Sequence, residues 1–215
     1  MMFTTINCEQ GTKEWRNARK CKITASIAKK IITPTGKLSA SANDLIIDLV
    51  TESIVDDPIL QRRQEMLSLK DEIAWGNLHE PDARKQFVET TDLPIKEVGF
   101  LQSHLHIALG CSPDGFWDEC DEPYGLELKC PLSTTHARWH YEKVLPAEHV
   151  VQVHFSMAVT GVKSWYFMSY YPGLKPFIVR ALRDDYTEKV KDAVKQAAEK
   201  YQIESPKIRE MIMMD

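Results

Sequence analysis

Through roughly the first 90 residues, apolar positions recur every three to four residues, the period of a helix packed on one face. Four helical segments are predicted there: residues 13–20 (KEWRNARK), 24–32 (TASIAKKII, opened by Thr24 as a cap), 41–55 (SANDLIIDLVTESIV) and 70–91 (KDEIAWGNLHEPDARKQFVETT). Pro81 is expected to start or kink a turn in the last of these. From Leu93 the pattern changes to short β-favouring runs at 95–101 (IKEVGFL), 105–110 (LHIALG), 114–119 (DGFWDE) and 124–129 (YGLELK). Polar or Gly/Pro-containing turns separate them, as in a hairpin-rich sheet. Helices are predicted from about Thr134 and from Ala147 through residue 160, then strands at 164–171 (SWYFMSYY) and 176–182 (PFIVRAL). Residues 184–203 carry the amphipathic pattern of a last helix, and Pro206 precedes a Met-rich tail.

No internal repeat, low-complexity block or Gly/Ser-rich linker divides the chain. The expectation is one α/β domain over residues 1–215. It has a helical N-terminal part at about 1–92, a core at about 93–181 built on a mixed central β-sheet flanked by helices, and a C-terminal helix at about 184–204 with its tail.

Composition narrows the choice of partners. With 215 residues, 43% hydrophobic and 27% charged, the chain buries a substantial core. No apolar run approaches the roughly 20 residues that span a bilayer, and the first residues lack the basic-then-apolar layout of a signal peptide, so a cytoplasmic protein away from membranes is expected. Five cysteines, an odd number without a CxxC pair, point to reduced thiols. The formal net charge of −4 does not advertise a nucleic-acid binder. Basic pairs such as Lys20 with Lys22, Lys29 with Lys30, Arg62 with Arg63 and Arg84 with Lys85 leave room for a local basic surface, although solvated helix faces are the commoner meaning of such pairs.

One stretch carries chemistry, SPDGFWDECDEPYGLELKCP at residues 112–131. In a strand, Glu127 and Lys129 project to one face while Leu128 faces the apolar side. A turn within DECDEPYG would fold Asp114 back beside Glu127. Two neighbouring carboxylates repel unless a cation lies between them, and their oxygens suit Mg²⁺ or Mn²⁺. A lysine beside that pair orients a nucleophilic water or offsets charge on a pentacovalent phosphorane, which is what phosphodiester hydrolysis requires.

Pro113-Asp114 followed by Glu127-Leu128-Lys129 resembles the motif of the PD-(D/E)xK nucleases, and the surrounding segments resemble the phage lambda exonuclease family. Those segments are Trp15-Arg16-Asn17-Ala18-Arg19, Ile23-Thr24-Ala25-Ser26, Ala74-Trp75-Gly76 with Glu80 and Asp82-Ala83-Arg84, Cys111 to Gly115, Gly125 to Pro131, and Gln152-Val153. The resemblance runs in order from about Gly11 to Tyr171. It implies a restriction-endonuclease-like core and a processive, two-metal enzyme that degrades the 5′ strand at duplex DNA ends to mononucleotides and leaves a 3′ overhang. A ring-shaped homotrimer is implied, together with a phage-type single-strand annealing protein as partner in recombination. Asp114, Glu127 and the Leu128 carbonyl would hold the Mg²⁺ ions, Lys129 would position the attacking water, and Glu80 and Gln152 would support the metals or their waters. Arg19, Ser26 and Ser112 would hold the terminal 5′ phosphate. Ile73 takes the place of an apolar wedge at the DNA end.

The family's phosphate-binding arginine shortly after the lysine is replaced here by Thr134, Thr135 and His136, with Arg138 two residues on as the candidate substitute. Without the resemblance, Glu80 would read as a solvated helix residue, Arg19 as part of an exposed basic helix, and Gln152 as a partner for a buried backbone group. His136 and His140 share i, i+4 spacing without the acid that a metalloprotease helix carries, so a structural role is expected. Two other functions stay open: an endonuclease or single-strand exonuclease on the same fold, and a non-catalytic DNA-binding or assembly module.

Overall fold

In a computed structural model, residues 2–55, 66 and 71–213 are described. Their strands form two four-stranded sheets rather than one. The first sheet contains β1 (Phe3–Ile6), β2 (Ile23–Thr24), β3 (Phe100–Ser103) and β4 (Leu109–Cys111), in the order β1-β3-β4-β2. Only its β2–β4 pair is parallel. The second has β5 (Gly115–Trp117), β6 (Tyr124–Lys129), β7 (Ser164–Ser169) and β8 (Phe177–Leu182) in chain order. Its β6–β7 pair is parallel and the outer pairs are antiparallel.

A parallel pair needs a crossover, and here it carries two helices, α4 (Ser133–Glu142) and α5 (Ala147–Thr160). The earlier helices are α1 (Lys13–Arg19), α2 (Ala42–Ile54) and α3 (Asp71–Thr91), and the last is α6 (Asp185–Ile212). Helix α5 is the most deeply placed, packed on α6, β4 and β7 with nine of its residues buried. Trp165 of β7 is fully buried, and Gly125 of β6 makes room for its ring: a Cβ on Gly125 would meet ring carbons at 2.5 Å. Among the described residues no helix is long and apolar enough to cross a membrane.

The α/β class with mixed sheets flanked by helices is as expected. Inside the region expected to be helical, however, lie β1 and β2. Four and two residues long, they are too short to show a period, and their partners lie far along the chain at residues 100–110. Residues 25–30 form a 3₁₀ helix, Ala25–Lys30, instead of an α-helix opened by a Thr24 cap. The Thr24 hydroxyl bonds Ser26 Oγ at 3.2 Å rather than a backbone N–H. Helix α3 runs through Pro81 unbroken. The carbonyl that loses a partner there belongs to Asn77, which is exposed, so water can satisfy it, and buried Ala83 and Phe87 hold the following turns. The final helix also passes Pro206 and reaches Ile212, beyond the expected end near 204. Packing on α2 holds that extension, where the Arg209 guanidinium donates to Ser53 Oγ. Arg62, Arg63 and Met214 lie outside the described residues.

Candidate active site

The chain leaves the first sheet at Cys111 and enters the second at Gly115, so residues 112–114 form the crossing. Gln10 Nε2 donates to Pro113 O and to Val98 O, each at 2.8 Å, and fixes this crossing from the N-terminal side. The β5–β6 register, Gly115 opposite Leu126, brings Asp114 across from Glu127. Asp114 N donates to Leu126 O at 3.0 Å, and Leu128 N donates to Asp114 Oδ2 at 2.6 Å. Along β6 the strand alternation then acts as predicted. Glu127 and Lys129 share a face, and Leu126 and Leu128 pack with Ala83 and Phe87 of α3 and with Met168.

Glu127 is almost wholly buried, and its Oε1 receives both the Lys129 ammonium and Gln152 Nε2, the latter at 2.6 Å from α5. Burial pushes the Glu127 carboxyl up to about 7, with Lys129 opposing and the charge of Asp114 adding to the rise. Burial raises Asp114 as well, against the pull of Lys129, the Leu128 N–H and Arg84. For Lys129, burial works downward, but the charges of Glu127 and Asp114 outweigh it and hold the ammonium above its usual range. A cavity of about 320 Å³ opens over Asp114, Leu128 and Lys129, walled by Ile73, Gly76 and Glu80 of α3 and by Trp139 of α4.

Each carboxylate commits one oxygen to protein donors. Asp114 Oδ1 and Glu127 Oε2 have no protein donor among the described residues. A buried acid, Glu127, and a partly buried one, Asp114, with raised pKa values and one open oxygen each form a donor set that suits a hard divalent cation. No group of three His, Cys, Asp or Glu side chains able to hold a metal occurs among the described residues. The set therefore fits an ion that retains several waters, such as Mg²⁺, better than one enclosed by protein. Glu80 lines the same cavity, and its Oε1 accepts from Arg84 at 2.7 Å. Burial and the nearby Asp114 charge raise its carboxyl too.

A second cluster abuts the acids. Arg19 donates to Ser26 Oγ at 2.9 Å and lies 4.4 Å over the Trp15 ring, whose Nε1 donates to Ser112 Oγ at 2.9 Å. Trp15 thus joins Arg19, Ser26 and Ser112 into one group, two residues ahead of Asp114. Burial lowers Arg19, opposed by the charges of Cys111, Glu127 and Asp114. Ser26 is the second residue of a six-residue 3₁₀ helix, so the dipole support expected of a helix start is slight there. Ile73 lines the cavity and is half-exposed. Arg138 does not join this group: it is exposed on α4, outside the cavity lining and without a partner among the described residues.

His136 is buried between Ser169 Oγ at 2.8 Å and Lys175 O at 3.1 Å, which makes it a structural staple of α4. Four residues that had no assigned role belong to the site's framework: Trp15, Arg84, Glu97 and His149. The i, i+4 spacing of Trp15 with Arg19 and of Glu80 with Arg84 was the available signal for two of them. His149 is stacked on Phe167 with ring centroids 5.2 Å apart. Burial pushes it down to about 4; the Lys129 charge adds to that, and Glu148 and a hydrogen bond to Gln152 oppose it.

The profile of the YqaJ-like viral recombinase domain matches residues 14–163. No curated protein sequence matches the chain. Among solved structures, it resembles an alkaline exonuclease, LHK-Exo, from Laribacter hongkongensis, with a TM-score of 0.76 and 24% identity over 93% of this chain and 97% of the other. The same exonuclease in complex with dAMP matches at TM-score 0.72 and 25% identity over the same shares. A phage-related exonuclease from Haemophilus somnus matches at TM-score 0.59 and 16% identity, over 88% of this chain and 96% of that one.

Proposed function

The chain belongs to the family of YqaJ-like viral recombinase domains, phage-type exonucleases of the PD-(D/E)xK group, and is a nuclease of recombination; from that premise we propose that it is a Mg²⁺-dependent 5′ to 3′ exonuclease acting on double-stranded DNA ends. The observation that carries the proposal is the register that sets Asp114 opposite Glu127 with Lys129 on the same face. In this reading two Mg²⁺ ions, replaceable by Mn²⁺, bind through Asp114, Glu127 and the Leu128 carbonyl and supply Lewis-acid stabilisation of the charge on the reacting phosphate.

The side chains do the positioning. Lys129, held as an ammonium, donates from Nζ to the attacking water and faces the charge that grows on the phosphate oxygens. It is a donor in this role, not a base. Gln152 holds the Glu127 carboxylate in place. Arg19, Ser26 and Ser112 supply one guanidinium and two hydroxyls for a terminal 5′ phosphate, and Ile73 offers an apolar wall to the DNA end. Grip through the DNA backbone implies little sequence preference and a steep dependence on salt.

The dAMP complex of the alkaline exonuclease supports a nucleotide-sized product. Family resemblance further supports a homotrimeric ring in the cytoplasm and a single-strand annealing protein that takes over the 3′ strand. Exposed Ile203, Met211 and Ile212 on α6 are apolar surface available to such contacts.

Linear duplex DNA labelled at the 5′ or the 3′ end tests the proposal, digested with Mg²⁺ or with EDTA, by wild type and by Lys129→Ala. The expected result is early release of the 5′ label as mononucleotide, abolished by EDTA and strongly slowed in the variant. Cutting of circular or single-stranded DNA alone would replace the exonuclease with an endonuclease or a single-strand enzyme. Binding without any cutting would make the chain a DNA-binding module.

A further inference from the structure

Arg84 of α3 is partly buried beside the acids, and each of its three guanidinium nitrogens has its own partner. Nε donates to the Asp114 carbonyl at 2.8 Å, one terminal nitrogen donates to Glu80 Oε1 at 2.7 Å, and the other pairs with Glu97 Oε2 at 3.1 Å. A guanidinium is planar and rigid, so three partners in three directions fix its orientation as well as its place. Two of the partners belong to the catalytic cavity. The third does not: Glu97 lies between the Lys96–Phe116 bridge and β3, lines a separate cavity of about 420 Å³, and has Arg84 as its only partner among the described residues.

We infer that Arg84 and Glu97 form a positioning pair for the nuclease reaction, in which Glu97, from outside the catalytic cavity, keeps Arg84 aimed at the main chain of Asp114. This rests on the nuclease reading of the site. Its logic is geometric. Asp114 presents its carboxylate to Leu128 N only while its backbone stays in the crossing between the sheets, and Arg84 Nε is the side-chain donor that grips its carbonyl. Glu80, half-open to the cavity, competes for the same guanidinium and would turn it when substrate or ions draw that carboxylate inward. A carboxylate on the opposite side cancels this torque. A wrongly aimed Asp114 costs rate rather than affinity, because reacting groups displaced by a fraction of an ångström still bind DNA.

The test uses the full chain with Glu97→Ala, Arg84→Lys and the double variant, assayed on linear duplex DNA at saturating Mg²⁺. Glu97→Ala is expected to lower kcat roughly fivefold to tenfold with KM for DNA ends not raised, as a loss of alignment does. In the Arg84→Lys background the same substitution should add nothing, because it acts only through the guanidinium. Melting temperature should change little, since the carboxylate of the pair is half-exposed and such pairs contribute little to stability. A second readout needs no activity: in ¹⁵N-resolved spectra the Arg84 Nε–H should exchange slowly in wild type and quickly in Glu97→Ala. An unchanged kcat in Glu97→Ala, losses that multiply in the double variant, or an Nε–H that stays protected would each overturn the inference. A wild type that cleaves no DNA would overturn the nuclease reading instead, and the exchange measurement would still decide the clamp.

Discussion

Gln152 and Lys129 converge on one oxygen, Glu127 Oε1, and leave Oε2 without a protein donor among the described residues. The two donors come from different elements, α5 and β6, so the orientation of the Glu127 carboxylate depends on the packing between them. Gln152→Ala should therefore lower turnover about 10–100-fold, the usual effect of removing a partner that orients a ligand. Lys129→Ala should lower kcat about 10²–10³-fold, as expected when a donor to developing charge is lost. Steady-state digestion of duplex ends measures both, and fluorescence anisotropy with DNA in EDTA should show binding retained. A Lys129→Ala protein with normal turnover would remove this lysine from the chemistry.

Divalent ions should raise the thermal midpoint. An ion that binds only the folded state stabilises by mass action, about 2.7 kcal/mol at a hundredfold excess over Kd. Differential scanning fluorimetry with MgCl₂ or MnCl₂ should show this rise in wild type and lose it in Asp114→Asn. A rise that persists in Asp114→Asn would place the ions elsewhere.

The Trp15 group sets a further expectation. Arg19→Ala should abolish the preference for 5′-phosphorylated over 5′-hydroxyl ends, because it removes the guanidinium of the group. Trp15→Phe keeps a ring face under Arg19 but removes the donor to Ser112 Oγ, so it should reduce the preference only in part. Competition between the two kinds of end measures the ratio directly. An unchanged ratio in Arg19→Ala would move the phosphate site away from this cluster.

What the sequence could disclose followed from how local each relationship is. Alternation along β6 and a turn after Trp117 depend on neighbours, so the facing of Asp114, Glu127 and Lys129 was legible. The hydrogen bond from Trp15 to Ser112, the grip of Arg84 on Asp114 and the pairing of Glu97 with Arg84 join segments far apart in the chain, and no spacing rule encodes them. The same holds for the division into two sheets, since β1 and β2 are recognised only through distant partners. Arg138 shows the converse: a basic residue near the expected position in sequence is exposed on α4 and outside the cavity lining.

Gly125→Ala should couple stability to the site. Its Cβ would press on the Trp165 ring at 2.5 Å, and the ring, fully buried, has no open side to move toward. Overpacking of that kind costs about 1–3 kcal/mol. Because Gly125 shares β6 with Glu127 and Lys129, activity should fall together with the urea midpoint. A variant with wild-type stability would mean that the ring shifts without cost.

His149 gives the folded protein a pH dependence whose sign follows from its environment. Burial holds its pKa at about 4 against an ordinary 6.5, so the unfolded chain takes up this proton first as pH falls. The contribution to stability is full above about 6.5, declines as pH drops, and is lost once pH falls through about 4. For a partly open ring the loss amounts to about 1–3 kcal/mol, which denaturation in urea at successive pH values can resolve. His149→Phe keeps an aromatic ring against Phe167 and Trp139 and cannot protonate, so its stability should fall less steeply over this interval. Equal slopes for the two proteins would mean that the imidazole titrates normally and that the stack does not shield it.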